Sequence, residues 1–194
     1  MHHDPITRFG EWLTTATACA DIAEPTAMTL ATATDKGLPS ARIVLLKEYA
    51  PQGFLFYTNL HSRKSRELVE NPQAALCFHW MPLERQVRVE GAVTQASDAE
   101  ADAYFASRPR VRQIAAWASH QSEPLASREA LEQRVAAITQ QYEGQDVPRP
   151  PHWSGWRVAP SRIEFWYQDF ARLHAREIYT RGNDGAWQHG WLYP

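Results

Sequence analysis

Three cationic side chains stand in the first turn of a predicted helix, where the helix dipole disfavours positive charge. The apolar stretch 54–57 leads towards Ser62, a typical N-cap residue, and Arg63, Lys64 and Arg66 follow it. Each cation there costs between a few tenths of a kcal/mol and about 1 kcal/mol. A bound phosphate would offset this cost, because free backbone N–H groups and basic side chains would converge on it. The segment fits such an anion site, and it also fits a solvated basic turn.

A second pair of cations, Arg42 and Lys47, encloses an apolar run. Side chains alternate along a strand, so the two are expected to point to opposite faces. They would then serve two different anions, unless a β-bulge realigns them. The alternative is that both ends of the strand simply reach solvent.

A third group lies on a short predicted helix, where Tyr104 and Arg108 are four positions apart and share a face. A phenol beside a guanidinium can hold one phosphate, with the arginine binding bidentately. An ordinary exposed helix face explains the pair equally well. Arg112, just past Pro109, adds a further charge to this group or belongs to the surface.

Polar residues alternate with valines in the predicted strand 86–94, so that Gln86, Arg88 and Glu90 share one face. Such a face is usually the wet side of an antiparallel strand. Gln86 is also able to give an amide hydrogen bond to a heteroaromatic ring.

Arg172, His174 and Arg176 alternate along a predicted strand at 171–181, and Trp166 lies on the strand before it. These cationic or protonatable side chains repel one another, so a partner with negative charge or electron-rich edges would stabilise them. An exposed edge strand that is charged against aggregation is the alternative. His174 has no neighbouring cysteine or H-x-H companion, so the sequence predicts no metal site.

The elements that must position these residues are mostly strands. The pattern predicts helices at 6–20, 63–70 and 127–142, and a short one that Ser97 opens and Pro109 ends. Strands are expected at 27–34, 41–47, 54–58, 74–80, 86–94, 163–167, 171–181 and 187–192. This order predicts a single α+β, mainly antiparallel and barrel-like domain over residues 1–194. Because no GxGxxG or P-loop pattern occurs, a phosphate would have to be held by side chains.

Composition limits the classes of function. The net charge of −2 and the pI near 6.4 argue against a nucleic-acid partner or a membrane surface. No apolar segment approaches the roughly 18 residues of a membrane span, and no signal peptide is visible. Two distant cysteines indicate a reducing, cytoplasmic compartment.

Taken together, the motifs resemble the pyridoxine (pyridoxamine) 5′-phosphate oxidases. The resemblance extends over nearly the whole chain, and its strings occur in the family's order. They are RIVLLK at 42–47, FYTN at 56–59, SRK at 62–64, LERQV at 83–87, YFASRPR at 104–110, WASHQS at 117–122, EFW at 164–166 and RLHAR at 172–176.

The resemblance implies an FMN-binding split β-barrel that acts as a homodimer, with the flavin at the subunit interface. It implies an FMN phosphate site at Arg42, Tyr57, Thr58, Arg63 and Lys64. Around the ribityl chain and the flavin ring it places Gln86, Gln121, Ser122, Trp166 and Arg176, from both subunits. For the substrate phosphate it implies Lys47, which counts towards both ligands, with Tyr104 and Arg108, and we add Arg112, which stands where the family commonly has a serine at this phosphate. Arg172 and His174, the implied catalytic residues, would cover the substrate's pyridine ring.

The implied reaction oxidises the C4′ carbon of phosphorylated B6 vitamers, with FMN as cofactor and O2 as acceptor, and releases H2O2. The chain departs from the family pattern at Arg112, where a serine is common, and at Ala175, where an acidic residue is frequent. These departures leave open a related oxidase acting on another heteroaromatic compound, as in phenazine biosynthesis. A module that holds a flavin without catalysis is the third reading.

Overall fold

The computed structural model describes residues 4–169 and 173–194. The helices are α1 (Pro5–Ala18), α2 (Arg63–Glu70), α3 (Asp98–Ser107), α4 (Arg110–Ala118) and α5 (Arg128–Gln141). The strands are β1 (Ala27–Ala33), β2 (Pro39–Leu45), β3 (Glu48–Ala50), β4 (Gly53–Asn59), β5 (Gln73–Trp80), β6 (Arg85–Gln95), β7 (Trp153–Tyr167), β8 (Ala175–Arg181) and β9 (Trp187–Trp191).

All the strands belong to one antiparallel sheet with the order β2-β1-β5-β6-β7-β4-β3, and β8 and β9 extend it from β7. The long strand β7 pairs with β4 through residues 153–158 and with β8 through residues 162–167. Its pairing with β6 shifts register after Glu90, where Gly91 lies against the Ala159 carbonyl. A Cβ at Gly91 would lie 1.9 Å from that oxygen, so only glycine allows the close approach.

The main core lies between the sheet and α1. Phe9 of α1 is fully buried and makes edge contacts with Phe54 and Phe78, with ring centroids 4.9 Å and 5.0 Å apart. Edge-to-face packing of this kind stabilises aromatic pairs beyond simple burial. A second, smaller cluster forms where α3 and α4 cover β7, around Phe105, Ile114 and Trp153. This second cluster supports one wall of the cavity described below.

The mainly antiparallel α+β architecture agrees with the sequence prediction, but several elements differ, and three of the differences affect the site. Helix α4 was not predicted, because Pro109 was read as the end of a helix whereas it is the N-cap of the next one. Strand β7 begins at Trp153, ten residues before the predicted start at 163. The strand predicted at 171–181 begins only at Ala175.

Candidate active site

A cavity of about 600 Å³ lies between the start of α2, strands β2 and β4, and helices α3 and α4. We call it the basic cavity. It brings together predicted residues from five separate motifs, namely Arg42, Lys47, Tyr57, Thr58, Arg63, Lys64, Tyr104, Arg108, Arg112, Gln121 and Ser122. No carboxylate appears among its described lining residues. The cavity therefore has the charge expected of a site for anionic ligands.

Lys64 lies at the inner end of the basic cavity and is only 8% exposed. Its Nζ donates to Gln121 Oε1 at 2.9 Å and to Thr58 Oγ1 and Ser62 Oγ at 3.2 Å each. All three acceptors are neutral, and no carboxylate of the described residues forms an ion pair with Lys64. Burial, followed by the nearby charge of Arg42, lowers the pKa of Lys64 to about 8. A phosphate would supply the missing counter-charge.

The other two cations at this end, Arg42 and Arg63, are paired with one buried carboxylate. Glu67 is 3% exposed and lies 3.3 Å from Arg42 Nη2 and 2.8 Å from Arg63 Nε. Burial alone would raise the pKa of Glu67, but hydrogen bonds from Ser40, Thr32 and Arg63 and the charge of Arg42 outweigh it, so the pKa falls to about 2. Glu67 is thus ionised at neutral pH.

Stacked aromatic rings support the opposite end of the cavity. The Tyr57 ring stacks with those of Tyr104 and Trp153, at 4.2 Å and 5.1 Å between ring centroids, and the Tyr104 and Trp153 centroids are 6.2 Å apart. Burial first, and then the charge of Glu100, raises the pKa of Tyr57 to about 12, so its hydroxyl stays protonated. Trp153 was not predicted as a site residue. The high tryptophan content was the only sequence signal that pointed to it.

Arg108 is held on this aromatic wall, with its guanidinium carbon 4.7 Å from the Trp153 ring centroid. Its Nη1 is buried and has no hydrogen-bond partner among the described residues. Burial lowers the pKa of Arg108. A buried guanidinium nitrogen without an acceptor is costly, and a phosphate oxygen would satisfy it.

A second group of predicted residues lies elsewhere, on strands β6, β7 and β8. Gln86, Trp166 and Arg176 are consecutive partners across these strands, and the His174 ring is 4.8 Å from that of Trp166. We call this group the β6–β8 face. None of its residues lines the basic cavity. Trp153 and Trp166 are separated by roughly 40 Å along β7, at about 3.3 Å per residue, so the two groups meet at different ends of that strand.

The structure corrects two expectations about direction. Arg42 and Lys47 do not point into separate cavities, since both line the basic cavity; β2 ends at Leu45, so strand alternation does not extend to position 47. Arg172, His174 and Arg176 were expected in one strand, but His174 precedes β8 and Arg172 lies outside the described residues. The charge of Arg176 is also compensated, because Glu164 accepts hydrogen bonds from it at 2.8 Å and 3.1 Å.

The residues present fit a phosphate-bearing cofactor. Lys64 is buried and Arg108 is half-buried with a buried Nη1, and both lack an anionic partner among residues 4–169 and 173–194. Within the same residues no cluster of three metal-binding side chains occurs. None of the described helices combines the length and the apolar character that a membrane span requires.

Two family profiles match the chain. Residues 14–142 match the profile described as "Pyridoxamine 5'-phosphate oxidase", and residues 153–194 match the "Pyridoxine 5'-phosphate oxidase C-terminal dimerisation region". The second match covers β7, β8 and β9, which carry most of the β6–β8 face. It supports the predicted homodimer.

Curated relatives are similar over their full length. A "Pyridoxine/pyridoxamine 5'-phosphate oxidase" from Myxococcus xanthus (strain DK1622) is 58% identical over 98% of this chain and 92% of the relative. One of the same name from Zymomonas mobilis is 55% identical over 100% of both chains.

Solved structures agree with the predicted split barrel. PhzG from Burkholderia lata 383, in complex with tetrahydrophenazine-1-carboxylic acid, superposes with a TM-score of 0.92 at 35% identity, over 98% of this chain and 93% of that one. A pyridoxamine 5'-phosphate oxidase-related, FMN binding protein from Nostoc punctiforme has a TM-score of 0.78 at 15% identity, with both chains fully covered, which shows the shared fold alone. The profiles, the relatives and the architecture lead to one conclusion: the chain belongs to the pyridoxine/pyridoxamine 5′-phosphate oxidase family.

Proposed function

We propose that the protein oxidises pyridoxine 5′-phosphate and pyridoxamine 5′-phosphate to pyridoxal 5′-phosphate, using FMN held between two subunits and O2 as the final acceptor. The observation that carries the proposal is that two cations, the buried Lys64 and the half-buried Arg108 with its buried Nη1, face one cavity without carboxylate partners among the described residues. When bound, FMN takes up the two electrons of the oxidation and passes them to O2, which yields H2O2. The protein's own residues bind and orient the reactants.

The end of the cavity at α2 holds the FMN phosphate. Lys64 provides an ammonium group, and Arg63 provides a guanidinium whose terminal nitrogens donate to no described residue. Thr58 and Gln121 already contact Lys64 and so lie beside the same phosphate. Charge-assisted hydrogen bonds of this kind are about twice as strong as neutral ones.

The aromatic end holds the substrate phosphate. Arg108 offers its unpartnered Nη1, while Lys47 and Arg112 add charge and Tyr104 adds a hydroxyl. Fixing the phosphate at this end keeps the substrate in one orientation, which lowers the entropic part of the barrier.

Two separate groups of residues in one chain support a site shared between subunits. The basic cavity of one subunit binds both phosphates, and the β6–β8 face of the other covers the rings. Gln86, Trp166 and Arg176 lie next to each other on that face, and the His174 ring packs against Trp166. Within a single subunit, none of the residues of the β6–β8 face lines the basic cavity.

Mixed dimers test this sharing. An Arg108→Ala chain and an Arg172→Ala chain, each nearly inactive, should regain about a quarter of wild-type activity when co-assembled, since roughly half of randomly paired dimers are mixed and each has one intact site of two. Mixing Arg108→Ala with Lys47→Ala, both in the cavity, is the matched control and should give no recovery. Activity no higher than the sum of the separate variants in the first mixture would place both groups in one subunit's site.

The reaction is tested directly on purified holoprotein. Flavin absorbance near 450 nm reports FMN, and peroxide release with pyridoxine or pyridoxamine 5′-phosphate reports turnover. A flavin that dithionite reduces but neither ester reduces would overturn the oxidase proposal and favour a flavin-holding module. Fractionation of cells would test the cytoplasmic location that the two free cysteines, Cys19 and Cys77, favour.

Arg172 is the residue we assign to aligning the substrate ring, on the basis of the family resemblance. Its charge would also stabilise negative charge that develops during the oxidation. Arg172→Ala should lower turnover about 100-fold or more, the size found when one such donor is removed, and leave a yellow, FMN-loaded dimer. A colourless preparation would instead assign Arg172 to holding the flavin.

A second candidate reaction is favoured by Arg112 and by the solved phenazine-ligand complex. Arg112 adds a cation to the substrate end of the cavity, and the Burkholderia lata protein superposes with a TM-score of 0.92. A substrate screen that includes tetrahydrophenazine-1-carboxylic acid separates the two. Faster oxidation of that acid than of either B6 ester, reversed by Arg112→Ser, would select the second candidate.

A further inference from the structure

We infer that Glu67, which does not line the cavity, is the positioning residue of the FMN phosphate site. It fixes the guanidinium groups of Arg42 and Arg63, so that Arg63 presents its two terminal nitrogens to the phosphate. This inference rests on the proposed FMN site at the α2 end of the basic cavity.

The two carboxylate oxygens of Glu67 accept hydrogen bonds from different donors. Oε2 accepts from Ser40 Oγ at 2.6 Å and from Thr32 Oγ1, and lies 3.3 Å from Arg42 Nη2. Oε1 accepts from Arg63 Nε at 2.8 Å. Since the residue is 3% exposed, water contributes little to holding it. The donors come from β1, β2 and α2, so Glu67 connects the wall of the cavity to the helix start.

The bond to Nε determines which edge of Arg63 remains available. Nη1 and Nη2 of Arg63 have no hydrogen-bond partner among the described residues, and the side chain is 58% exposed and lines the cavity. A guanidinium held through Nε offers its Nη1–Nη2 edge in the fork geometry that suits two phosphate oxygens. Without Glu67, Arg63 would sample many rotamers in solvent, and binding phosphate would cost that freedom.

Glu67 also limits the charge at this end. Arg42, Arg63 and Lys64 together carry three positive charges, and one buried carboxylate leaves a net excess that a phosphate can neutralise. Both oxygens of Glu67 accept hydrogen bonds, and the residue does not line the cavity, so the carboxylate is not exposed to the incoming anion there. A carboxylate that only stabilised the fold would affect the binding of the phosphate no more than the binding of the rest of the flavin.

The test compares two ligands that differ only in the phosphate. Apo-protein is titrated with FMN and with riboflavin, following flavin fluorescence. Glu67→Gln should weaken FMN binding by about 10-fold, the loss of roughly one charge-assisted hydrogen bond, and change riboflavin binding by less than about 2-fold. Glu67→Asp should recover part of the FMN affinity. Glu70→Gln is the matched control, because Glu70 is exposed on the same helix, and it should leave both affinities unchanged.

A double-mutant cycle adds a test that does not depend on overall stability. If Glu67 acts through Arg63, Glu67→Gln should weaken FMN binding clearly less in an Arg63→Ala background than in the wild type. Equal losses for FMN and riboflavin, or full additivity with Arg63→Ala, would overturn the positioning role. A wild-type protein that binds riboflavin as tightly as FMN would instead overturn the proposed phosphate site itself, so the two failures are distinguishable.

Discussion

The basic cavity and the β6–β8 face both contain arginines, but carboxylates compensate Arg88 and Arg176 beside the face, whereas several cations of the cavity have no such partner among the described residues. On the face, Arg88 pairs with Glu90 at 2.9 Å and with Glu164 at 3.5 Å, and Glu164 also binds Arg176 at 2.8 Å. In the cavity, Lys64 and Arg108 have no ion-pair partner among the described residues, and Glu67 serves only Arg42 and Arg63.

The difference indicates what each region binds. Leaving a charge buried without a partner is costly, and a protein tolerates the cost where a ligand supplies the opposite charge. The cavity is therefore suited to phosphates. The face is close to neutral and presents a ring, an amide and a held guanidinium, which suit contact with an aromatic ligand. The pairing of Arg176 with Glu164 also explains how the chain manages with Ala175 in place of an acidic residue.

Removing an uncompensated cation should have the largest effect. Arg108→Ala should lower kcat/KM for pyridoxine 5′-phosphate by roughly 100-fold, near the upper end for a lost hydrogen bond to a charged group, and leave FMN affinity unchanged. Steady-state kinetics with saturating FMN measure this. Arg88→Ala, which removes a compensated arginine, is the control. A similar loss of kcat/KM in both variants would show that the two regions do not differ in the way described above.

At the other end of the cavity, Arg63→Ala should weaken FMN retention by about 10-fold to 100-fold, corresponding to 1.5–3 kcal/mol. With FMN saturating, KM for the substrate should stay near wild type, because the substrate phosphate is held at the aromatic end. Arg66→Ala is matched to it: Arg66 lies one turn along α2, is exposed and donates to the His61 carbonyl instead of lining the cavity. FMN loss of equal size in Arg66→Ala would assign the effect to general helix charge.

The smallest predicted effect is a dependence on pH. The pKa of Lys64 is lowered to about 8, so the ammonium is present below pH 8 and is lost as the pH rises through that value. Because FMN needs the ammonium, its affinity should be flat between about pH 7, above the second pKa of a phosphate ester near 6, and pH 8, and fall by at most about tenfold per pH unit above pH 8. Lys64→Arg should remove the loss of FMN affinity above pH 8, since arginine stays charged. The affinity of the wild type for riboflavin, which has no phosphate, should not change near pH 8. A change there would assign the titration to another group.

Local patterns in the sequence identified most of the elements and the basic motifs. The cations at the start of α2 and the Tyr104–Arg108 pair were recognisable because helix geometry fixes neighbours three and four positions apart. The start of β7 was missed, because Ser154, Gly155 and Pro160 are residues that favour turns; pairing with β4 and β6 overrides that preference. Trp153, which supports the substrate end, was missed with it.

By itself, the sequence determined that this protein has a mainly antiparallel fold and holds its anions with side chains, because residue type and spacing decide propensity and charge locally. Apart from the Arg63–Glu67 pair, which lies four positions apart on α2, only the tertiary structure decided which of those cations are compensated. Glu67 reaches Arg42 across 25 positions and Glu164 reaches Arg176 across 12. Ion-pair partners so far apart in the sequence are brought together by strand pairing and packing, and no local sequence pattern predicts them. That is why Glu67 resembles an ordinary helix residue in the sequence, whereas its contacts in the structure support the role in orienting the phosphate site that we propose for it.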